Sequence, residues 1–420
     1  MIPRFSPAIV STALLLLPAL AQSTSSDWPS WRGPSHNGQA AGNPPIEWSE
    51  ERNVRWKVPV PGLGHATPIL WGNRIYVQTA VETGGGRHDY RLVALDRATG
   101  KTAWQRTLRT AAPNEDGHHG TASYASTSGI TDGEHLYAYF GSQGLYCLDL
   151  DGNPRWDVDL GNMVTRHSFG EGSSLALHGN TLLVNWDHEG DSFIAALDKR
   201  TGKELWRRVR DEVTSWATPL VIEHGGRHQV IVPASGKTRS YDLASGALIW
   251  ECAGLGTNVI PMPVYADGIV YVASGHRQPA MQAIRLADAA GDITGTAAVL
   301  WSIDRDTPYV ASPLLDGGRL FFVKGRNAIL SCYDARTGAA LFGPERLPGM
   351  EGMVYASLVG AGDRIYVSDL NGNTVVLRNG PEFEILAANK LNDGFAASPV
   401  IAGNALYLRG HQSLYCLATD

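Results

Sequence analysis

The stretch Ala94-Leu95-Asp96-Arg97-Ala98-Thr99-Gly100-Lys101-Thr102-Ala103-Trp104 recurs as Ala196-Leu197-Asp198-Lys199-Arg200-Thr201-Gly202-Lys203-Glu204-Leu205-Trp206. Looser copies run from Tyr241-Asp242 through Gly246 to Trp250, from Tyr333-Asp334 through Gly338 to Phe342, and from Cys147-Leu148-Asp149 through Gly152 to Trp156. The closing tryptophans 56, 104, 156, 206, 250 and 301 stand 44 to 52 residues apart, the mark of a repeated supersecondary unit. Within the copy, Gly supplies the positive φ of a tight turn, while the Asp and Thr side chains bond neighbouring amides. The Trp that follows is expected to lie flat between adjacent units and bury roughly 150 to 250 Å².

A second marker precedes each copy: Thr67-Pro68, Ser126-Thr127, Ser174, Thr218-Pro219, Met262-Pro263, Ser312-Pro313, Ser357 and Ser398-Pro399. Eight markers mean eight units. Between them lie short strands such as Arg74-Ile75-Tyr76-Val77 and Arg364-Ile365-Tyr366-Val367, each entered through a glycine turn. No amphipathic helix of useful length interrupts them. Four strands per unit and a period in the forties describe a blade, so the expected fold is an all-β, eight-bladed propeller of four-stranded antiparallel blades. The segment Val54-Arg55-Trp56-Lys57-Val58 reads as an outer strand that arrives before any inner strand, whereas the last unit lacks one. The N-terminal strand should therefore complete the last blade and remove an open edge.

Composition agrees. The 420 residues include 47 Gly and 12 Trp, as many turns and aromatic anchors require. The formal charge of −6, with no basic block, argues against a nucleic-acid partner, whose binding needs clustered Lys and Arg. Residues 1–21 carry Arg4, the apolar run Ile9 to Leu17, and Ala19-Leu20-Ala21, the pattern of a cleavable signal peptide. That run is too short to span a bilayer and no later run reaches that length, so no membrane span is expected. No Cys follows the cleavage point, so a lipid anchor is not expected either. The organisation reads as a signal peptide (1–21), an N-terminal extension (22–47) and a propeller (48–420), in a periplasmic or secreted monomer. Cys147, Cys332 and Cys416 occupy one repeat position, and Cys252 stands beyond a closing Trp. Equivalent strands of separate blades are too far apart for disulfides, so mostly free, buried thiols are expected.

The Ala-x-Asp-x-x-Thr-Gly-x-x-x-Trp pattern in an eight-unit ring resembles the pyrroloquinoline-quinone (PQQ) repeat propellers. That family includes quinoprotein alcohol dehydrogenases and non-catalytic outer-membrane assembly factors of the BamB type. The start Asp27-Trp28-Pro29-Ser30-Trp31-Arg32-Gly33-Pro34 is similar to that of secreted bacterial members. The resemblance covers about residues 48 to 420 and implies the fold strongly and the function weakly, because one propeller serves many tasks. Dehydrogenases of the family stack PQQ on a disulfide between adjacent cysteines, and no Cys-Cys pair occurs here. The expectation is therefore a non-catalytic scaffold with no cofactor, binding a periplasmic or extracellular protein or a small ligand such as a sugar. PQQ is the one cofactor the resemblance allows. A PQQ-dependent oxidoreductase and a carbohydrate-binding or carbohydrate-cleaving propeller are the alternatives.

Propeller sites form where the loops that enter the inner strands converge with those joining the second and third strands. The Thr-Gly turns lie on the other face. On the loop face the candidates are His118, His119, Arg166, His167, Trp216, Lys324 and Arg326, accompanied by His65, Glu171, Tyr309, Tyr355 and Phe395. Lys324, Arg326 and Arg166 suit a carboxylate or phosphate; Trp216, Tyr309, Tyr355 and Phe395 suit a sugar or quinone ring. Asp116-Gly117-His118-His119-Gly120 lacks the spacing of a metal motif. Asp187-His188-Glu189 reads as a solvated loop.

Overall fold

A computed structural model of the chain describes residues 27–419. The signal peptide expected at residues 1–21 lies outside them. Eight antiparallel four-stranded blades stand around a channel, with innermost strands side by side, and two of them gain a two-residue parallel strand, Gln39–Ala40 or Gly291–Asp292. Blade 1 comprises Ile69–Trp71, Arg74–Gly84, Arg87–Asp96 and Thr102–Ala111, and the later blades follow in chain order. Blade 8 takes Val400–Ala402, Ala405–Arg409 and Ser413–Ala418 from the C-terminus and its outer strand, Val54–Pro59, from the N-terminus. Trp56 stands opposite Cys416 in that pairing. Among the described residues no helix is long and apolar enough to cross a membrane.

The repeated turn is built from its own side chains. Asp96 Oδ1 accepts the Thr99 amide at 2.9 Å and the Thr99 hydroxyl at 2.7 Å, and Asp198 and Asp334 do the same for Thr201 and Thr337. Gly100 has φ +71°, and a Cβ there would stand 2.8 Å from the Trp56 ring of the preceding blade. The glycine thus serves the turn and also lets an indole lie against it. Each indole N–H then donates to a carbonyl of the next blade: Trp56 to Arg97, Trp104 to Leu150, Trp156 to Lys199, Trp206 to Leu243 and Trp301 to Ala335. Trp250 departs from the series. Its N–H donates to Gln229 of its own blade, because the fifth blade replaces the turn with an excursion from Leu286 to Ala298. Ile293 and Ala298 of that excursion pack over the fully buried Trp250 ring.

The second marker forms a belt around the channel. The Ser128 hydroxyl accepts the Thr67 amide, Ser174 accepts that of Ser128, and Thr218 that of Ser174. Ser312, Ser357, Ser398 and Thr67 continue the series from Met262 back to blade 1. Met262 has no hydroxyl and interrupts it. The second unit's marker is corrected by this geometry: Ser128, and not Ser126 or Thr127, takes the belt position.

Residues 27–43 close the channel on the Thr-Gly side. Trp28 exchanges backbone hydrogen bonds with Leu70 (2.8 and 2.9 Å), and Pro29 accepts from Thr131. Asn37 bonds Tyr265, Gln39 donates to Leu315, and Gln39–Ala40 pairs in parallel beside Gly360 and Ala361. All of these partners sit at or beside the C-terminal ends of innermost strands, so the segment lies across one mouth. Trp28 and Arg32 are almost wholly enclosed. The Arg32 guanidinium donates to the Leu358, Pro313 and Asn37 carbonyls, and burial lowers its pKa to about 9. The four cysteines are free and buried, and burial pushes the Cys147 and Cys332 thiols up to about 12.

Candidate functional site

The loops before the innermost strands meet at the other mouth, around a cavity of about 180 Å³. Its floor is Trp31, raised into the channel by the closing segment and fixed by an indole N–H bond to the Ser398 hydroxyl at 3.1 Å. One wall is polar, with His65, Glu171 and the belt hydroxyls of Thr67, Ser128 and Ser174. Phe169, Trp216, Tyr309 and Tyr355 complete the lining. Trp216 is held by its backbone N–H to the Val259 carbonyl (2.8 Å) and its indole N–H to the Gly170 carbonyl (2.7 Å).

Glu171 borders this cavity and two smaller ones beside it. Its carboxylate accepts the Ser142 amide at 2.6 Å and the Ser142 hydroxyl at 2.5 Å. Burial pushes its pKa up to about 7 against those hydrogen bonds, and the nearby Glu115 charge adds to the rise. His65 moves the opposite way. Burial, reinforced by His411 and Arg409, lowers it to about 3 against an opposing contact with the Thr121 backbone. At neutral pH the site therefore holds a neutral imidazole and a carboxyl group in mid-titration.

A carboxyl whose folded pKa lies above its unfolded value near 4.5 keeps a proton the unfolded chain has released. Stability falls as pH rises from 4.5 through 7. Glu171→Gln removes that slope. The melting temperature of the variant should gain on the native protein between pH 4.5 and 8, which thermal melts across that range will read. His65, depressed, acts with the opposite sign below pH 6.5 in both proteins, so the difference between them isolates Glu171.

The seven candidate residues fall in several places. His119 and Trp216 line the cavity. His118 sits just behind, its ring edge-on to Tyr124 at 4.7 Å, and His167 is exposed against Phe169. Arg166 reaches the Asn258 side chain at 3.3 Å and Glu189 at 3.6 Å. Lys324 is paired with Asp306 at 2.8 Å, and Arg326 lies over the Tyr309 ring at the rim. Neither of these three cations contributes to the cavity wall. Phe395, expected as a stacking ring, is wholly buried in the core between blades.

The reading of Asp187-His188-Glu189 as a solvated loop is overturned. Asp187 is enclosed and pairs with Arg210 at 2.7 and 3.1 Å while accepting the Ser215 hydroxyl; His188 is also buried, and Glu189 alone is exposed. An acidic loop and an internal ion pair look alike until the partner, 23 residues away, is known. Trp31 and Phe169 were not anticipated as walls. Trp31 stands in the Trp-Arg-Gly-Pro start, whose presence was legible but whose position depends on the whole ring.

PQQ is a tricarboxylate, and the cavity wall contains no Lys or Arg; its one carboxyl, Glu171, would repel such a ligand. The cysteines are distributed among the blade strands, and no group of three His, Cys, Asp or Glu among the described residues is placed to hold a metal ion. The walls do not fit PQQ.

The chain matches the family profile described as outer membrane protein assembly factor BamB over residues 46–171, 190–294 and 293–420. No curated protein matches it. Among solved structures it is similar to BamB from Moraxella catarrhalis, with 16% identity, a TM-score of 0.61 and 87% of this chain and 97% of that one covered. It is also similar to a europium-containing methanol dehydrogenase, with 10% identity, a TM-score of 0.67 and coverage of 95% and 99%. A third is the quinohemoprotein alcohol dehydrogenase from Comamonas testosteroni, with 11% identity, a TM-score of 0.65 and coverage of 95% and 82%. At such identities these structures speak for the fold alone. With the profile spanning most of the propeller, the chain belongs to the family of the outer membrane protein assembly factor BamB.

Proposed function

We propose that this protein is an exported, non-catalytic propeller that holds a small ligand in the cavity at its loop-side mouth. The observation that carries this reading is the cavity itself, floored by Trp31 and walled by side chains fixed to backbone carbonyls and amides. Such a rigid, partly apolar recess with a few convergent polar groups is the usual form of a small-molecule site. Its ionisable groups do not form an acid–base pair: the Glu171 carboxylate is held by Ser142, and His119 Nδ1 is held by the Thr121 hydroxyl at 2.7 Å. Localisation in the periplasm or outside the cell rests on the leader at residues 1–21. The BamB family name supports a further role in contact with a protein of the same compartment.

The competing reading is a PQQ-dependent oxidoreductase, favoured by the likeness to the dehydrogenases. Titrating purified protein with PQQ separates the two. The expected result is no quinone absorbance on the protein after gel filtration and no dye-linked oxidation of alcohols or sugars. Stoichiometric PQQ accompanied by dye reduction would overturn the proposal.

A further inference from the structure

Resting on that reading, we infer that the cavity takes a neutral, polyhydroxylated ligand of monosaccharide size, with one face laid on Trp216 and its hydroxyls turned to the belt and Glu171. Three features of the walls lead there.

The belt hydroxyls are already half used. Thr67, Ser128 and Ser174 each accept a backbone amide, and Ser398 accepts both the Ser357 amide and the Trp31 indole. Each of these residues is no more than 5% exposed, and none donates its hydroxyl proton to a protein acceptor among the described residues. A hydroxyl can donate one hydrogen bond besides those it accepts. The channel wall therefore presents several O–H donors that lack acceptors among the described residues. A ligand that satisfies this wall must offer many oxygen lone pairs and some O–H groups at close spacing.

Trp216, Tyr309 and Tyr355, all partly exposed, line the same cavity. They reward a ligand with an apolar flat side. The cavity contains no Lys or Arg to compensate an anion, and Glu171 disfavours one, so phosphates and polycarboxylates are poorly matched. A cation would meet only one carboxyl. A pyranose answers all three conditions, because its C–H face is apolar, its rim is a ring of hydroxyls, and it carries no charge.

The test is calorimetric titration of the purified protein with a panel of neutral mono- and disaccharides, with glucuronate and galacturonate as charged counterparts and tryptophan fluorescence as a second readout. Saturable binding of at least one neutral sugar is expected, with the matching uronate weaker. Trp216→Ala and Tyr309→Ala should each weaken it about tenfold or more, and Glu171→Gln several-fold. Val209→Ser, on the outer edge and 86% exposed, should leave it unchanged. The inference is overturned if no neutral sugar binds, if the uronate binds more tightly, or if affinity survives in both aromatic variants. Native mass spectrometry of protein from its own host tells this failure from failure of the binding reading. A retained small molecule of another class overturns the sugar and leaves the ligand-binding reading standing, whereas PQQ overturns both.

Discussion

A chain shortened to begin at Val60 should lose its single cooperative thermal transition and elute as oligomers, where a chain that begins at Asp27 should elute as a monomer. The deletion removes Val54–Pro59, so Ser413–Ala418, buried along its whole length in the intact ring, becomes an unpaired edge and a template for association. It also removes the Trp56 indole, whose N–H links blade 8 to the Arg97 carbonyl of blade 1. A second truncation, beginning at Trp48, keeps the closing strand and loses the segment across the lower mouth together with residues 44–47, whose carbonyls accept from Arg364, Tyr366 and Asn389. It should remain monomeric but melt earlier, since burying Trp28 alone contributes roughly 1.5 to 3 kcal/mol. Size exclusion and calorimetry on the two chains tell strand closure from channel closure. A monomeric Val60 chain with native melting would refute the role of the shared strand.

Asp187→Ala should destabilise the protein by about 3 to 5 kcal/mol, the usual loss when one member of a buried pair is removed. Both side chains of the Asp187–Arg210 pair are fully enclosed. Burial by itself would lower the Arg210 pKa, but the Asp187 charge outweighs it and holds the guanidinium charged. The variant leaves that charge inside, with the Tyr241 hydroxyl at 2.9 Å as its remaining side-chain hydrogen bond and Glu212 as a nearby opposite charge. Denaturant melts of Asp187→Ala, Arg210→Met and the double variant will show it: the double variant should recover part of the loss, because no uncompensated charge remains. Full additivity of the two single effects would contradict the account.

The fold was legible because its signals are local. Asp96, Thr99 and Gly100 close their turn with their own atoms, and the period of the tryptophans follows from one blade's length. Trp250 shows where locality ends. It has the spacing of the other tryptophans, yet its partner depends on an excursion in the next blade that breaks the repeat. The same limit governs the site. His119 and Trp216 could be named from loop position, but Lys324 is drawn to Asp306, Phe395 turns into the core, and Asp187 finds Arg210, each through partners invisible to a loop-by-loop reading.

By itself the sequence determined the number of blades, the face on which the Thr-Gly turns lie, the strand that closes the ring and the burial of the thiols. These depend on spacing, turn chemistry and alternation, which act over a few residues and repeat. The tertiary structure alone decided that residues 27–43 seal one mouth, that Trp31 floors the other, and that the markers join into a belt with unused donors. Those features arise where eight loops and one N-terminal segment converge, and a convergence of distant residues leaves no period in the chain.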